Sequence, residues 1–517
     1  MLIDASQTGP ANLGEADVVI VGAGAVGIAL AISLAREGRR VTLLEGGPAQ
    51  VPLDYRSHND ALQTGRPHLG ITDGRMKALG GTTRLWGGQL TPFDRSDFEG
   101  GVFPGKPAWP ISFDDYHAWA DAAFAFLRVP ARIGEIDGLW REASGRSAEL
   151  GRDLHLGMNI WLPQPDFTRL FASELAGLRN LTVITGATVE AIGLEANGRV
   201  SHVTTANGRY KGRHIVLAAG TFEIVTLLLR AAQRETGSRL EASPHIGRWF
   251  IDHLHGIVGE IRAPNSARLG ALFDNVYLKG HKFSVKVRAG TEMRARLRIA
   301  NCVATVNPRF SLGETAAELR SLLRRVFWRG DAGSLIEGLR QGMILAGAIV
   351  PLAWRYLARN RSAMLFHRGN YLGIEIEQVP CAQSYIGLDP AVPAATARPL
   401  LHWQLDGSEM TGIQALCHAL RDTFAREGLG EVVLDPRIEA GDPAFLSGMH
   451  DAYHQMGGAR MAESAEAGVV DRDCKVFGTQ NLYVAGAAVF PSGSFANPTL
   501  TAIALALRLS DHLVRQE

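Results

Sequence analysis

The sequence predicts an α/β protein in which a Rossmann-type nucleotide domain is interrupted by an α+β domain built on an antiparallel sheet. Three observations predict it. Ala16–Gly47 has the strand, glycine turn, helix and strand of a βαβ unit. Leu181–Gly220 reads as a meander followed by a strand returning to the first sheet. Ala271–Arg309 alternates apolar and polar residues, as half-buried antiparallel strands do.

In chain order, Val18–Val21 is a continuous apolar run, and Gly22, Gly24 and Gly27 follow it as G-x-G-x-x-G. In this setting the first glycine makes the tight turn, the second lets backbone approach a pyrophosphate, and the third lets helix pack on strand. Ala25–Glu37 is helical in spacing and stops at Gly38; Val41–Leu44 is the second strand. Glu45, at its end, is placed to accept hydrogen bonds from ribose hydroxyls. Dinucleotide contacts are therefore expected at Gly22, Gly24, Ala25, Gly27, Glu45 and Gly46. The turn alone does not separate NAD from FAD.

Met76–Asp94 carries two glycine pairs, Gly80–Gly81 and Gly87–Gly88, around Thr82, Thr83 and Trp86. Such pairs let backbone come close to a flat ring that side chains would obstruct, so Gly81, Thr82, Trp86, Gly87 and Gly88 are candidate cofactor contacts. Phe103–Leu127, rich in proline and aromatics and then helical, is the expected crossing into the second domain. Asn197–Gly198 and Asn207–Gly208 mark tight hairpins in a three-stranded meander, and Ile215–Ala218 is the returning strand, ending at Ala219 and Gly220. A βαβ unit followed by such a meander belongs to nucleotide domains of the glutathione-reductase type. Simple NAD domains lack it, so FAD is the cofactor expected.

His253 and His255 share a face if extended, but no third ligand stands nearby in sequence, and they read as structural histidines rather than a zinc or iron site. Ala271–Arg309 and Tyr371–Leu388 read as antiparallel sheet. Glu314–Met364 reads as a helical hairpin with eight arginines against four acids, a lid or a basic patch at most. The nucleotide domain is expected as three pieces, 1–110, 180–262 and 455–517. The substrate domain is expected as 111–179 and 263–454, with the helical segment at 314–364.

The C-terminal block holds Tyr453–Met461, Val469–Pro491 and Ser494–Leu507. Leu482–Ala485 reads as a buried strand. A helix should begin at Asn497 with Pro498 in its first position. Helix N-termini of this kind point N–H groups at electron-rich atoms.

The chain has 517 residues and is 46% apolar and 20% charged, with net charge +1, so its size suits two domains and its charge does not point to nucleic acid. The four cysteines form no C-x-x-C pair and read as free thiols. No signal peptide is visible and the longest apolar run is too short to span a bilayer, so a cytoplasmic protein is expected. G-x-S-x-G is absent, which disfavours a serine hydrolase.

Together, the βαβ unit, the Gly80–Gly88 loop, Leu217–Glu223 and the C-terminal block resemble the glucose–methanol–choline (GMC) oxidoreductases. They are most similar to the branch of pyranose oxidase and bacterial sugar dehydrogenases. About 262–370 carries no matching motif. The resemblance implies that His454 is the active-site base and Asn497 the residue that orients the substrate hydroxyl. It places Gly486 and Ala487 near the FAD pyrophosphate, Val189 at the adenine through its backbone, Ala219 at the cofactor, and Asn497 and Thr499 at the pyrimidine edge. Where pyranose oxidase tethers FAD through a histidine before the loop tryptophan, this chain has Leu85, so noncovalent FAD is implied.

The function expected is oxidation of an alcohol group of a sugar, glycoside or cyclitol to the carbonyl. The hydride would pass to flavin N5 and the hydroxyl proton to His454. A dehydrogenase is favoured over an oxidase, with the electron acceptor open among oxygen, a quinone or a redox protein. The competing readings are a GMC-type flavoprotein acting on a non-sugar alcohol, and a non-catalytic FAD-binding or electron-transfer protein.

Overall fold

The computed structural model describes residues 1–7, 15–144, 149–234, 243–264, 266–308 and 370–516, with isolated positions between 340 and 362. The helical reading of 314–364 falls almost entirely outside the described residues.

Six strands form a wholly parallel sheet in the order Leu2–Asp4, Leu181–Thr185, Val41–Leu44, Ala16–Val21, Gly212–Leu217 and Leu482–Val484. Its central strands are apolar on both faces, as a parallel sheet covered on two sides requires. Helix Ala25–Arg36 packs between this sheet and the C-terminal helix Pro498–Arg515, with Ile28, Leu30, Ile32 and Leu34 buried, each side chain contributing about 1.5–3 kcal/mol. The meander of Val189–Leu194, Val200–Thr205 and Gly208–Tyr210 is antiparallel and separate.

Helix Phe113–Phe126 joins the two regions of the chain. The sequence reading groups it with the substrate domain, and it packs on the C-terminal helix Pro498–Arg515. The buried face of Tyr116, Ala120, Ala123 and Phe124 drives this, and the Tyr116 hydroxyl joins Phe93 N (2.9 Å) and Thr501 Oγ1 (3.2 Å).

The second sheet is antiparallel. Its spine runs Leu154–Trp161, His281–Ala289, Cys302–Pro308, Asn370–Glu377, His253–Arg262 and Glu431–Leu434. Two readings are corrected here. Thr291–Leu297 is a helix rather than a strand, with Met293 and Arg294 facing the interior. Tyr385–Leu388 leaves this sheet and pairs instead with Pro399–Trp403, which pairs with Leu62–Gly65. All four cysteines are free. Among the described residues no helix is long and apolar enough to cross a membrane.

Cross-strand partners point to the same side of a sheet. The pairs Gln89↔Trp161, Trp161↔Lys282, Gly157↔Lys286, Arg288↔Val303, Val303↔Glu375, His255↔Glu375 and His253↔Glu377 therefore give one face, with Trp161, Ser284, Lys286, Glu375, His255 and His253 as its polar and aromatic groups.

Candidate active site

The glycine turn is built as a cradle. A Cβ on Gly27 would lie 1.8 Å from the Gly22 carbonyl oxygen, and one on Gly22 would meet Ala219 Cα at 2.5 Å. These two glycines are fixed by protein packing. Gly24 differs, because a Cβ there meets no protein atom within 4 Å; the same holds for Gly486 (φ +128°) before Ala487. Gly81 closes the other side, its Cβ position 2.8 Å from Gly24 Cα, and Gly80 N donates to Ala23 O at 2.9 Å. An open glycine, Gly24, at the N-terminus of helix Ala25–Arg36 suits a pyrophosphate.

Glu45 is buried. Its Oε2 accepts from Ala23 N (3.0 Å) and its Oε1 from Gly47 N (2.9 Å), and each oxygen keeps a lone pair for a hydroxyl donor. Burial pushes its carboxyl up to about 7, against those two hydrogen bonds. A further donor such as a ribose hydroxyl would favour the ionised form. The residues present thus fit an adenine dinucleotide. Val189 opens the meander strand, and Thr499 lies in the first turn of the C-terminal helix. Thr82 O accepts from Leu85 N and Trp86 N, while the Trp86 indole donates to Pro165 O at 2.8 Å. Gly87 and Gly88 face the side chains of Trp161 and Pro165.

The fold brings His454 and Asn497 into contact although they are 43 residues apart: Asn497 Nδ2 lies 2.7 Å from His454 Nε2. Backbone bonds explain how. Gly457 N, Ala459 N and Met461 N donate to Ala487 O, Ala488 O and Val489 O. The segment carrying His454 is thereby laid along the turn that leads to Asn497. Tyr453, before His454, has φ +64°, an uncommon conformation for a bulky residue. Asn497 precedes Pro498 at the helix start, yet its side chain makes no capping bond. Its Oδ1 accepts instead from Gln89 Nε2 at 3.1 Å.

His253, read from the sequence as a structural histidine, completes this arrangement together with Asp252 and His68, which no motif marked. His253 Nδ1 stands 2.9 Å from His454 Nδ1, the rings edge to face at 73° with centroids 4.8 Å apart. Asp252 Oδ1 accepts from the backbone N–H of both His253 (2.7 Å) and His454 (2.9 Å), and Asp252 Oδ2 meets His68 Nε2 at 3.1 Å. Burial, then the neighbouring His454, pulls His253 down to about 3. Burial also holds His454 below its ordinary value, with Asp252 and Glu375 opposing. Burial raises Asp252, but the hydrogen bond and charge of His68 leave it lowered.

His68, Asp252 and Asp451 form a compact buried group whose ligand-type atoms lie within 4.8 Å of one another. Asp451 Oδ1 and Oδ2 accept from Leu69 N (2.6 Å) and Gly70 N (2.8 Å). With every carboxylate oxygen holding an N–H, the group acts as a hydrogen-bonded hub that fixes two loops. His255 stands apart from it, 3.5 Å from His450.

On the polar sheet face, Lys286 Nζ meets Glu375 Oε2 at 2.5 Å, and the two side chains keep 10% and 15% exposure. Burial would raise Glu375, but Lys286 and then His454 draw it down to about 2. Trp161 Nε1 donates to Ser284 Oγ at 2.7 Å, and Lys282 Nζ sits 3.9 Å from the Trp161 ring centre. The site can therefore hold a neutral imidazole with one nitrogen directed at an amide, beside hydrogen-bonding groups of both signs. Only alternation marked these sheet residues in sequence, and register alone reveals which share a face.

Two family profiles match the chain, one described as FAD dependent oxidoreductase over residues 17–241 and one as GMC oxidoreductase over residues 380–506. The chain is 22% identical to the 2-methyl-1,2-propanediol dehydrogenase of Mycolicibacterium austroafricanum, over 97% of this chain and 96% of the relative. It is 36% identical to the C-glycoside 3-oxidase of Microbacterium trichothecenolyticum, over 16% of each. The solved structure of pyridoxine 4-oxidase from Mesorbium loti superposes with a TM-score of 0.56 at 18% identity, covering 96% of this chain and 99% of that one.

Proposed function

Since this chain belongs to the GMC oxidoreductases and carries their FAD-dependent oxidoreductase domain, we propose that it oxidises a hydroxyl of a sugar, glycoside or cyclitol to the carbonyl. The observation that carries this reading is the 2.7 Å contact between His454 Nε2 and Asn497 Nδ2, with the polar sheet face of Lys286 and Glu375 close enough to act on the imidazole's charge. In this reading His454 is the base, taking the hydroxyl proton on Nε2, and Asn497 donates to the alkoxide-like oxygen from Nδ2. Asn497 cannot titrate, so its part is orientation. FAD, when bound, supplies the acceptor for the hydride. Gly22, Gly24, Glu45, Gly81 and Gly486 would hold its nucleotide part.

Support for a hydroxyl-rich substrate comes from Lys286, Glu375, Ser284 and Trp161. An ammonium, a carboxylate and a hydroxyl on one surface can donate to and accept from several hydroxyls at once, which a small apolar alcohol would leave unmatched. A second reading, oxidation of a small non-sugar diol, is favoured by a relative that matches over 97% of this chain and is named for one.

The test is anaerobic bleaching of the purified holoprotein by glucose, an aryl C-glycoside, myo-inositol, 2-methyl-1,2-propanediol and choline, repeated with oxygen and then with a quinone. Bleaching fastest with one of the first three supports the proposal. Fastest bleaching by the diol selects the second reading, and a flavin untouched by any hydroxyl compound removes both. The acceptor that restores turnover assigns dehydrogenase or oxidase, the dehydrogenase being expected.

By the resemblance to pyranose oxidase, Leu85 corresponds to the tethering histidine, and it is exposed at 41%. Noncovalent FAD is part of the proposal: precipitation with trichloroacetic acid is expected to release all flavin into the supernatant. Yellow colour in the pellet contradicts it.

A further inference from the structure

We infer that His253 is a positioning residue that fixes which nitrogen of His454 carries hydrogen, keeping Nε2 unprotonated and so able to take the substrate proton. The inference rests on the reading of His454 as base.

The contacts form one chain with a single direction. Gln89 Nε2 donates to Asn497 Oδ1 (3.1 Å), and Asn497 Nδ2 donates to His454 Nε2 (2.7 Å). A neutral imidazole has one donor and one acceptor nitrogen. With Nε2 accepting, hydrogen sits on His454 Nδ1, and its partner at 2.9 Å is His253 Nδ1, which must accept. The hydrogen of His253 then lies on Nε2, which is buried and has no hydrogen-bond partner. Reversing the chain would leave a bare lone pair there, but would put hydrogen on His454 Nε2 and make it a donor, unable to act as base. The amide of Asn497, held from the other side by Gln89, sets the direction that His253 completes.

The pair is held in register from the main chain. Asp252 Oδ1 accepts both the His253 N–H and the His454 N–H, so the rings cannot drift apart without breaking a bond to a buried carboxylate. Many catalytic histidines rest their second nitrogen on a carboxylate. Here the acceptor is a neutral ring, so no anion is bonded to the imidazole that takes the proton. The charged groups around His454 are Asp252 and Asp451 from the hub, and Glu375 and Lys286 on the sheet, the last two paired with each other.

The test compares FAD-loaded His253→Leu and His253→Gln with wild type by rapid-mixing flavin reduction, using the hydroxyl compound that bleaches wild type fastest. FAD content and the histidine ¹⁵N spectrum are read alongside. His253→Leu is expected to reduce flavin about 10–100-fold more slowly with FAD content and KM little changed. His253→Gln, whose Oε1 can accept from Nδ1–H, is expected to recover to within about threefold of wild type. Equal rates in wild type and His253→Leu, or equal losses in both variants, overturn the inference. If the leucine variant does not fold, ¹⁵N shifts of histidine-labelled wild-type holoprotein decide, with His454→Asn used for assignment. An Nδ1–H form of His454 is expected, and an Nε2–H form overturns the inference. Wild-type flavin that no hydroxyl compound reduces is a failure of the functional reading instead, and the spectrum still reports the tautomer.

Discussion

His454→Ala is expected to bind FAD as wild type does and to lose most of its flavin reduction, by about 10²–10⁴-fold, the range for removing a positioned proton acceptor. Cofactor retention is expected because the nearest cradle groups are the glycine turn, Glu45 and Gly486, none of which bonds the imidazole. Asn497 loses its partner at 2.7 Å but keeps Gln89 at 3.1 Å, so the amide should stay near its place. The pH dependence has a defined sign. His454 lies below its ordinary value of 6.5, so the free base persists as pH falls through 6.5 and is lost only lower. Wild-type kcat/KM should therefore show its acid limb below pH 6.5, and the alanine variant should lose that limb. Stopped-flow reduction unchanged in His454→Ala removes the assignment, and a wild-type limb well above 6.5 contradicts the buried, neutral imidazole.

Much of this site was legible in the sequence because local rules wrote it. Gly22, Gly24 and Gly27 follow from what a tight turn against a strand permits, and Asn497–Pro498 from what a helix start prefers. Distance along the chain hid the rest. His253 lies 201 residues from His454, and no pattern in Ile251–His255 announces a ring-to-ring contact. Asp252 belongs to no motif, yet it is fully buried and clamps two backbone segments. Lys286 and Glu375 alternate within their strands like any half-buried pair. Their joint approach depends on strand order, since Cys302–Pro308 lies between their two strands. Helix Phe113–Phe126 hides its partner in the same way, because its apolar face does not say that it meets the C-terminal helix.

The second large effect separates cofactor binding from folding within one motif. Gly24 and Gly27 are three residues apart, and their substitution by alanine should fail in different ways. At Gly24 the backbone is extended (φ −80°, ψ −167°), a conformation open to any residue, and a Cβ meets no protein atom within 4 Å. Gly24→Ala apoprotein should melt as wild type does or slightly higher, since the unfolded chain loses freedom worth about 0.4–1 kcal/mol. The added methyl then occupies space that a pyrophosphate needs, and crowding of about 1–3 kcal/mol weakens FAD by roughly 10–100-fold. At Gly27 a Cβ would stand 1.8 Å from a carbonyl oxygen, and neither helix nor strand can yield without losing the six-stranded sheet's packing. Gly27→Ala should lose about 3 kcal/mol or more of apoprotein stability, taking FAD binding with it. Melting curves of both apoproteins and FAD titrations by fluorescence quenching decide. Wild-type FAD affinity in Gly24→Ala would mean the open glycine does not face the cofactor. Unchanged melting in Gly27→Ala would mean the turn is looser than its contacts require.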